Sequence, residues 1–226
     1  ETDTVSGSSL WNLVSTNSFE AKGISFVGVE VANSGAAGEL NGTANTDKFV
    51  VAVGGTQSVA VNGTTFNQVT SVKAGDGNDD VEYSSDNWTI QELEASNIEG
   101  IAFTDVESIN QFNSDALSDR KLTGTTGKDA LTIQANNTIS ANGITYYGIG
   151  DVDALGDTDT VSGSSLWNLI STNSFESKGI SFLNTEVANS GVAGELNGTT
   201  DADKFVVAVG GTQSVAVNGT TFNQVT

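Results

Sequence analysis

The stretch KFVVAVGGTQSVAVNGTTFNQVT occupies residues 48–70 and recurs, letter for letter, at residues 204–226. Phe49, Val51 and Val53 alternate with their neighbours, as do Val59 and Val61, which is the period of a half-buried strand. Between the second run and the next stands Asn62-Gly63, the dipeptide of a tight hairpin, because both residues accept a left-handed backbone. A catalytic site is ordinarily needed once per domain, whereas a spacer gains reach with every copy. Repetition of this kind points to architecture before it points to chemistry.

The identity extends outward. Residues 1–70 align without a gap onto residues 157–226, a shift of 156, and only ten of those seventy positions differ, several conservatively, as in Val14/Ile170 and Val27/Leu183. A weaker repeat of about half that length lies inside. LNGTANTDKFVV at Leu40 matches LTGTTGKDALTI at Leu122 and LNGTTDADKFVV at Leu196, in steps of 82 and 74 residues. VNGTTFNQVTSVKAGDGNDDV from Val61 then matches ANGITYYGIGDVDALGDTDTV from Ala141, and IEGIAFTDVESI from Ile98 matches SKGISFLNTEVA from Ser177. The chain reads as a partial repeat at 1–39, repeats at 40–121 and 122–195, and a partial repeat at 196–226. It begins in mid-pattern, as a fragment of a longer array would.

Nearly every ordered segment has strand character, and only SLWNLVST and TIQELEAS could pass as short helices. The chain contains no Pro, so its turns fall to Gly, Asn and Asp. The fold class is all-β. A repetitive β-solenoid, the parallel β-helix, is favoured, with coils of roughly 20–25 residues and about seven coils per 156-residue unit. The Asn-Gly pairs at 62–63, 142–143 and 218–219 keep tandem antiparallel β-sandwich domains as the alternative.

Composition narrows the chemistry. The sequence has 226 residues, a formal charge of −20, and no Cys, His, Met or Pro. The hydrophobic share of 37% supplies a core, so the chain folds without disulfides. A Cys-free chain fits the cytosol and equally fits proteins exported unfolded. With 28 acidic residues spread against 8 basic ones, nucleic acid is a poor partner and divalent cations are better ones. No apolar run approaches the roughly 18 residues of a membrane span, and no signal peptide opens the chain.

The cadence LxGTxxxDxFxV … NGxxFxxVxxVxAGxGxDxV, from Leu40 to Val81, resembles the repeats of giant bacterial secreted and surface proteins, the filamentous-haemagglutinin-like exoproteins and RTX-type adhesins. That resemblance covers essentially the whole chain through motifs of low specificity. It implies an extracellular or bacterial cell-surface location, a role in a matrix or biofilm, and often calcium.

AGDGNDDVE, Ala74 to Glu82, lies close to the calcium nonapeptide G-G-x-G-x-D-x-U-x, with Ala74 in place of the first glycine. Glycines let such a turn close so that carbonyls and carboxylates converge on a hard cation. Asp76, Asn78, Asp79 and Asp80 are the candidate metal ligands and calcium the candidate cofactor, against the plainer reading of an Asp/Gly turn. ALGDTDTVS, Ala154 to Ser162, is a related turn that keeps Asp157, Asp159 and Val161.

GTTGKD, Gly124 to Asp129, lacks the spacing of a phosphate loop. Asp47, Asp129 and Asp203 share one repeated position there and are expected to cap backbone amides. Trp11, Trp88 and Trp167 recur beside aliphatic residues, which favours a core role over sugar stacking. Arg120 and Lys121 are the only adjacent basic pair, the one place where a polysaccharide-cleaving β-helix could find its base. The expected function is a non-catalytic extender or stalk segment of a large secreted or cell-surface adhesin, whose partners are neighbouring repeats of the same chain. A segment or subunit of an extracellular filament, joined to other copies, is the alternative, and a polysaccharide-binding or cleaving β-helix is the less favoured third.

Overall fold

In the computed structural model, which describes residues 1–52, 57–83, 87–90, 95–110, 120–208 and 213–226, every regular element is a β-strand. No helix among the described residues is long and apolar enough to cross a membrane. The chain divides into two compact units, Glu1–Ser85 with Gln91–Ser114, and Asp86–Ile90 with Asp115–Thr226.

In the first unit Thr4–Ser15, Val31–Asn41, Thr64–Lys73 and Ile101–Thr104 pair in parallel, one on the next. A second parallel ladder joins Lys48–Val51, Asp80–Tyr83 and Ser108–Asn110. The second unit has the same two ladders. One runs through Asn87–Ile90, Arg120–Thr123, Ile149–Asp153 and Ile180–Leu183. The other runs through Ala130–Ala135, Thr160–Ser171, Val187–Asn197 and Thr220–Val225. Each unit is therefore a β-solenoid of stacked parallel coils. The registers of the two copies coincide: Thr4↔Val31↔Thr65 in one is Thr160↔Val187↔Thr221 in the other.

A coil takes about thirty residues, within the range of solenoid repeats, so the 156-residue period has room for about five coils and not seven. The extra residues are hairpins set into the coils. Thr4–Ser15 continues antiparallel into Ser18–Ala21 and then Ile24–Val27, and Val59–Val61 pairs antiparallel with Thr64–Lys73 across Asn62-Gly63. Asn62 and Gly63 have φ of 51° and 88°, Asn142 and Gly143 of 50° and 83°, Asn218 and Gly219 of 50° and 93°. These are the paired positive angles of the turn that suits strand twist. The hairpin signal holds locally, and the tandem sandwich it suggested does not form, because the next strand always returns to the parallel stack.

SLWNLVST is a strand and not a helix. Trp11 and Leu13 are buried while Leu10 and Val14 face solvent, a period of two. In TIQELEAS, residues 89–90 and 95–96 belong to strands and 91–94 lie outside the described residues.

The core is a column of apolar side chains from successive coils. Trp11, Leu40, Val72 and Phe103 occupy one register position and are all fully buried. Trp11 meets Phe19 edge to face at 5.7 Å and Phe66 at 6.2 Å, and Trp167 meets Phe175 at 5.6 Å and Phe222 at 6.2 Å. Each indole N–H, which burial would otherwise leave unsatisfied, donates to a buried serine: Trp11 to Ser34 Oγ at 2.8 Å, Trp167 to Ser190 Oγ at 2.7 Å. The pairings Trp11↔Leu40, Trp88↔Leu122 and Trp167↔Leu196 give the half-length repeat its structural meaning: each tryptophan strand lies one coil before the strand that opens an LxGT turn.

Glycine is needed most where coils meet. A Cβ on Gly63 would lie 1.9 Å from Asn17 Oδ1 of the coil before, whereas one on Gly28 would meet nothing within 4 Å. The second copy carries Asn184 where the first has Gly28, with φ of 55° and 69° respectively. Gly63→Ala is expected to lower stability by roughly 1–3 kcal/mol, and Gly28→Asn to change it by less than about 0.5 kcal/mol. Chemical denaturation of the two variants checks this difference.

Candidate functional site

The corners of the coils concentrate the unusual chemistry. A strand satisfies its backbone through the ladder, but a corner has no ladder, and its N–H groups need other acceptors. The LxGT turn answers this within itself. Asp47 Oδ2 accepts from Thr43 N at 2.6 Å, Asp129 Oδ2 from Thr125 N at 2.7 Å, and Asp203 Oδ2 from Thr199 N at 2.7 Å. The other oxygen of Asp47 accepts from Asn62 Nδ2 at 2.9 Å, which ties the corner to the hairpin tip. GTTGKD is therefore one of three equivalent capped corners.

The next coil places AGDGND directly over this turn. A Cβ on Gly42 would strike Ala74 O at 1.8 Å, and one on Gly75 would strike Thr43 O at 2.3 Å, so the two backbones are in close contact. Asp47 N–H donates to Asp79 Oδ1 at 2.6 Å, and Asp79 N–H donates onward to Glu107 Oε2 at 2.6 Å. The second unit repeats the arrangement: Asp129 N–H to Asp159 Oδ1 at 2.8 Å, Asp159 N–H to Glu186 Oε2 at 2.9 Å. Asp3 N–H donates to Glu30 Oε2 at 2.8 Å in the same way. A ladder of carboxylates on amides thus climbs the corners, each acid serving the coil before it.

The four candidate metal ligands take different directions in this setting. Asp79 is fully buried and directed at the Asp47 amide, Asp80 is half-buried with the Lys48 charge nearby, and Asp76 and Asn78 are exposed at the tip of the turn. Among the described residues no group of three or more acidic side chains is gathered as for a metal ion. Asp79 Oδ2 and Asp159 Oδ2 are both buried without a hydrogen-bond partner. Burial raises the carboxyls of Asp79 and Asp159 from 3.8 to about 6; the amide bonds from Asp47 and Asp129 oppose the rise, and the neighbouring acids add to it. Those acids are Asp47, Glu107 and Asp80 around Asp79, and Asp129, Glu186 and Asp157 around Asp159.

Among the described residues, three of the eight basic residues form ion pairs between coils. Lys48 pairs with Glu82, Lys73 with Glu39 at 2.7 Å, and Lys121 with Asp153 at 2.8 Å. Although burial opposes it, hydrogen bonds from Lys121 and Asn184 hold the Asp153 carboxyl below its ordinary range. Arg120 and Lys121 are neighbours on one strand and so face opposite sides. Arg120 is buried, its guanidinium donating to Gly148 O at 3.1 Å, while Lys121 lines an outer groove with Asp151, Asp153, Ser174 and Ser181. They do not converge on one place.

Trp11 and Trp167 are core residues, and the side chain of Trp88 lies outside the described residues. Glu107 and Glu186, which complete the acid ladder, went unnoticed in the sequence. Their signal was the shared acid in DVESI and NTEVA, one residue ahead of each strand. Comparison of the chain with protein families, with curated proteins and with solved structures gives no match.

An acid whose folded pKa exceeds its unfolded value binds its proton more tightly when folded. The stability that Asp79 and Asp159 contribute in this way is complete below about pH 4 and is lost as pH rises through about 6. Acidification from pH 7 to pH 5 is expected to raise the melting temperature. Asp79→Asn with Asp159→Asn, which imitates the protonated pair, is expected to stabilise the protein at pH 7 by about 1–3 kcal/mol per site and to flatten the pH response. Melting curves of parent and double variant across that range test both points.

Proposed function

We propose that the chain is a non-catalytic extender segment, a stalk built to hold other parts of a large bacterial secreted or cell-surface adhesin at a distance. The observation that carries this reading is the coincidence of registers between the two copies, which makes each coil face interchangeable with its counterpart a full period away. A protein of this construction changes length by whole periods while every interface stays the same. The use of Lys48, Lys73 and Lys121 as clasps between coils, and of Trp11 and Trp167 as core, supports the same reading. Chains carrying one, two and three 156-residue periods are expected to lengthen by equal increments in small-angle scattering. Collapse of the longer chains toward the compact scaling of globular domains would refute the stalk.

A second reading attaches a calcium ion to the turn at Asp76, Asn78, Asp79 and Asp80. It is favoured by the buried, unpartnered Asp79 Oδ2 and by the net charge of −20. A weak extracellular-type site, with Kd of roughly 0.1–1 mM, is expected to stabilise the protein by about 1 kcal/mol or somewhat more at several millimolar calcium. Melting in calcium against magnesium at matched ionic strength decides this, with Asp76→Ala/Asp79→Ala as the control. An equal gain from both ions, or the full calcium gain in the variant, would remove calcium from the account.

A further inference from the structure

Asparagine followed by glycine is chemically labile, because glycine has no Cβ to shield its backbone nitrogen. That nitrogen, once deprotonated, attacks the asparagine Cγ, the side-chain nitrogen leaves as ammonia, and water opens the succinimide ring to aspartate or isoaspartate. The sequence carries the pair five times, at 41–42, 62–63, 142–143, 197–198 and 218–219. The fold restrains the first two in different ways.

At Asn41 the attacking nitrogen is itself part of the stack. Gly42 N–H donates to Lys73 O at 2.7 Å, and a Cβ on Gly42 would strike Ala74 O at 1.8 Å, so this backbone is locked between coils. At Asn62 the restraint lies on the asparagine. Its Nδ2 donates to Asp47 Oδ1 at 2.9 Å, and its carbonyl accepts from Asn17 N at 2.7 Å. Val61 pairs with Thr64 across a two-residue turn, so Gly63 N–H lies outside the hairpin ladder, and Gly63 is exposed at the tip. Cyclisation requires the Asn62 carboxamide to swing over the Gly63 nitrogen, and therefore to leave Asp47. The second copy repeats the restraint, with Asn218 Nδ2 on Asp203 Oδ1 at 3.2 Å and Asn173 N on Asn218 O at 2.6 Å.

We propose that Asn62 is a latent modification site, a one-way latch that stays an amide while the corner is closed and becomes an acid once the corner has opened. Conversion removes the donor that ties hairpin to corner and sets a carboxylate facing Asp47 in its place. Asp47 already lies within electrostatic reach of Asp79, so the new charge is added to an acidic corner. Isoaspartate also inserts a methylene into the backbone of a two-residue turn. Neither product can re-form the tie, so a local opening that would otherwise reverse is fixed covalently.

Peptide mapping by mass spectrometry follows the one-dalton gain of amide to acid in the full 226-residue chain at mildly alkaline pH. In the folded parent Asn62 is expected to convert far more slowly than in the denatured chain, and its rate to climb through sub-denaturing guanidinium chloride as the corner opens. Asp47→Ala, shown by circular dichroism to be folded, is expected to speed conversion at Asn62 and leave Asn41 as slow as in the parent. Asn62→Asp, which is the product, is expected to melt at least about 3 °C below the parent. Asp47→Asn combined with Asn62→Asp exchanges the places of amide and carboxylate and is expected to recover most of that loss. Conversion of Asn62 in the folded parent at the rate of the denatured chain, a folded Asp47→Ala variant that converts no faster, or an Asn62→Asp variant as stable as the parent would each overturn the proposal.

Discussion

A buried amide at the corner of a coil must find an acceptor, and this requirement organises the molecule. Parallel strands satisfy each other along their length, but where the chain turns the ladder ends, and the backbones of successive coils lie in close contact. The protein meets the requirement with carboxylates. Asp47 and Asp129 cap their own turns, then pass their amides to Asp79 and Asp159, whose amides pass in turn to Glu107 and Glu186. Asp79, Asp159, Glu107 and Glu186 each join one coil to another, so hydrogen bonds of 2.6–2.9 Å as well as apolar packing set the spacing of coils. The high acidic content is partly explained by this, and the raised carboxyls of Asp79 and Asp159 are its electrostatic cost.

Much of this was legible in the sequence. Alternation at Phe49, Val51, Val59 and Val61 gave strands; Asn62-Gly63 gave a hairpin with the expected angles; the shared Asp of the LxGT turns gave a capped corner. The tryptophans read as core because a side chain that recurs at one place among aliphatic residues is filling the same space each time, and Trp11 and Trp167 do so.

What was hidden depended on neighbours distant in sequence. Coil length was underestimated because hairpins at Lys22-Gly23 and Lys178-Gly179 carry the same positive angles as Asn-Gly without its signature. Leu10, Trp11, Leu13 and Val14 suit a helix face as well as a strand until the parallel partner Val31–Asn41 is known. Asp79 is directed toward the amide of Asp47, a residue thirty-two positions away that its sequence neighbours Gly75 and Gly77 do not reveal. The glycines of that turn have their use in backbone contact with Thr43 and Asn45 of the coil before.

The near-identity of two long segments, folded in the same register, has a consequence at the level of the gene. KFVV receives DVEY at 80–83 over four paired residues, and its relative ALT at 130–132 receives TVS at 160–162 over three, in parallel in both cases. Unequal recombination between the near-identical segments 1–70 and 157–226 adds or deletes a whole period in frame, and every coil in the product still meets a neighbour it already fits. Selection can then act on the number of periods as on a single quantitative trait, without waiting for compensating point mutations at a new junction.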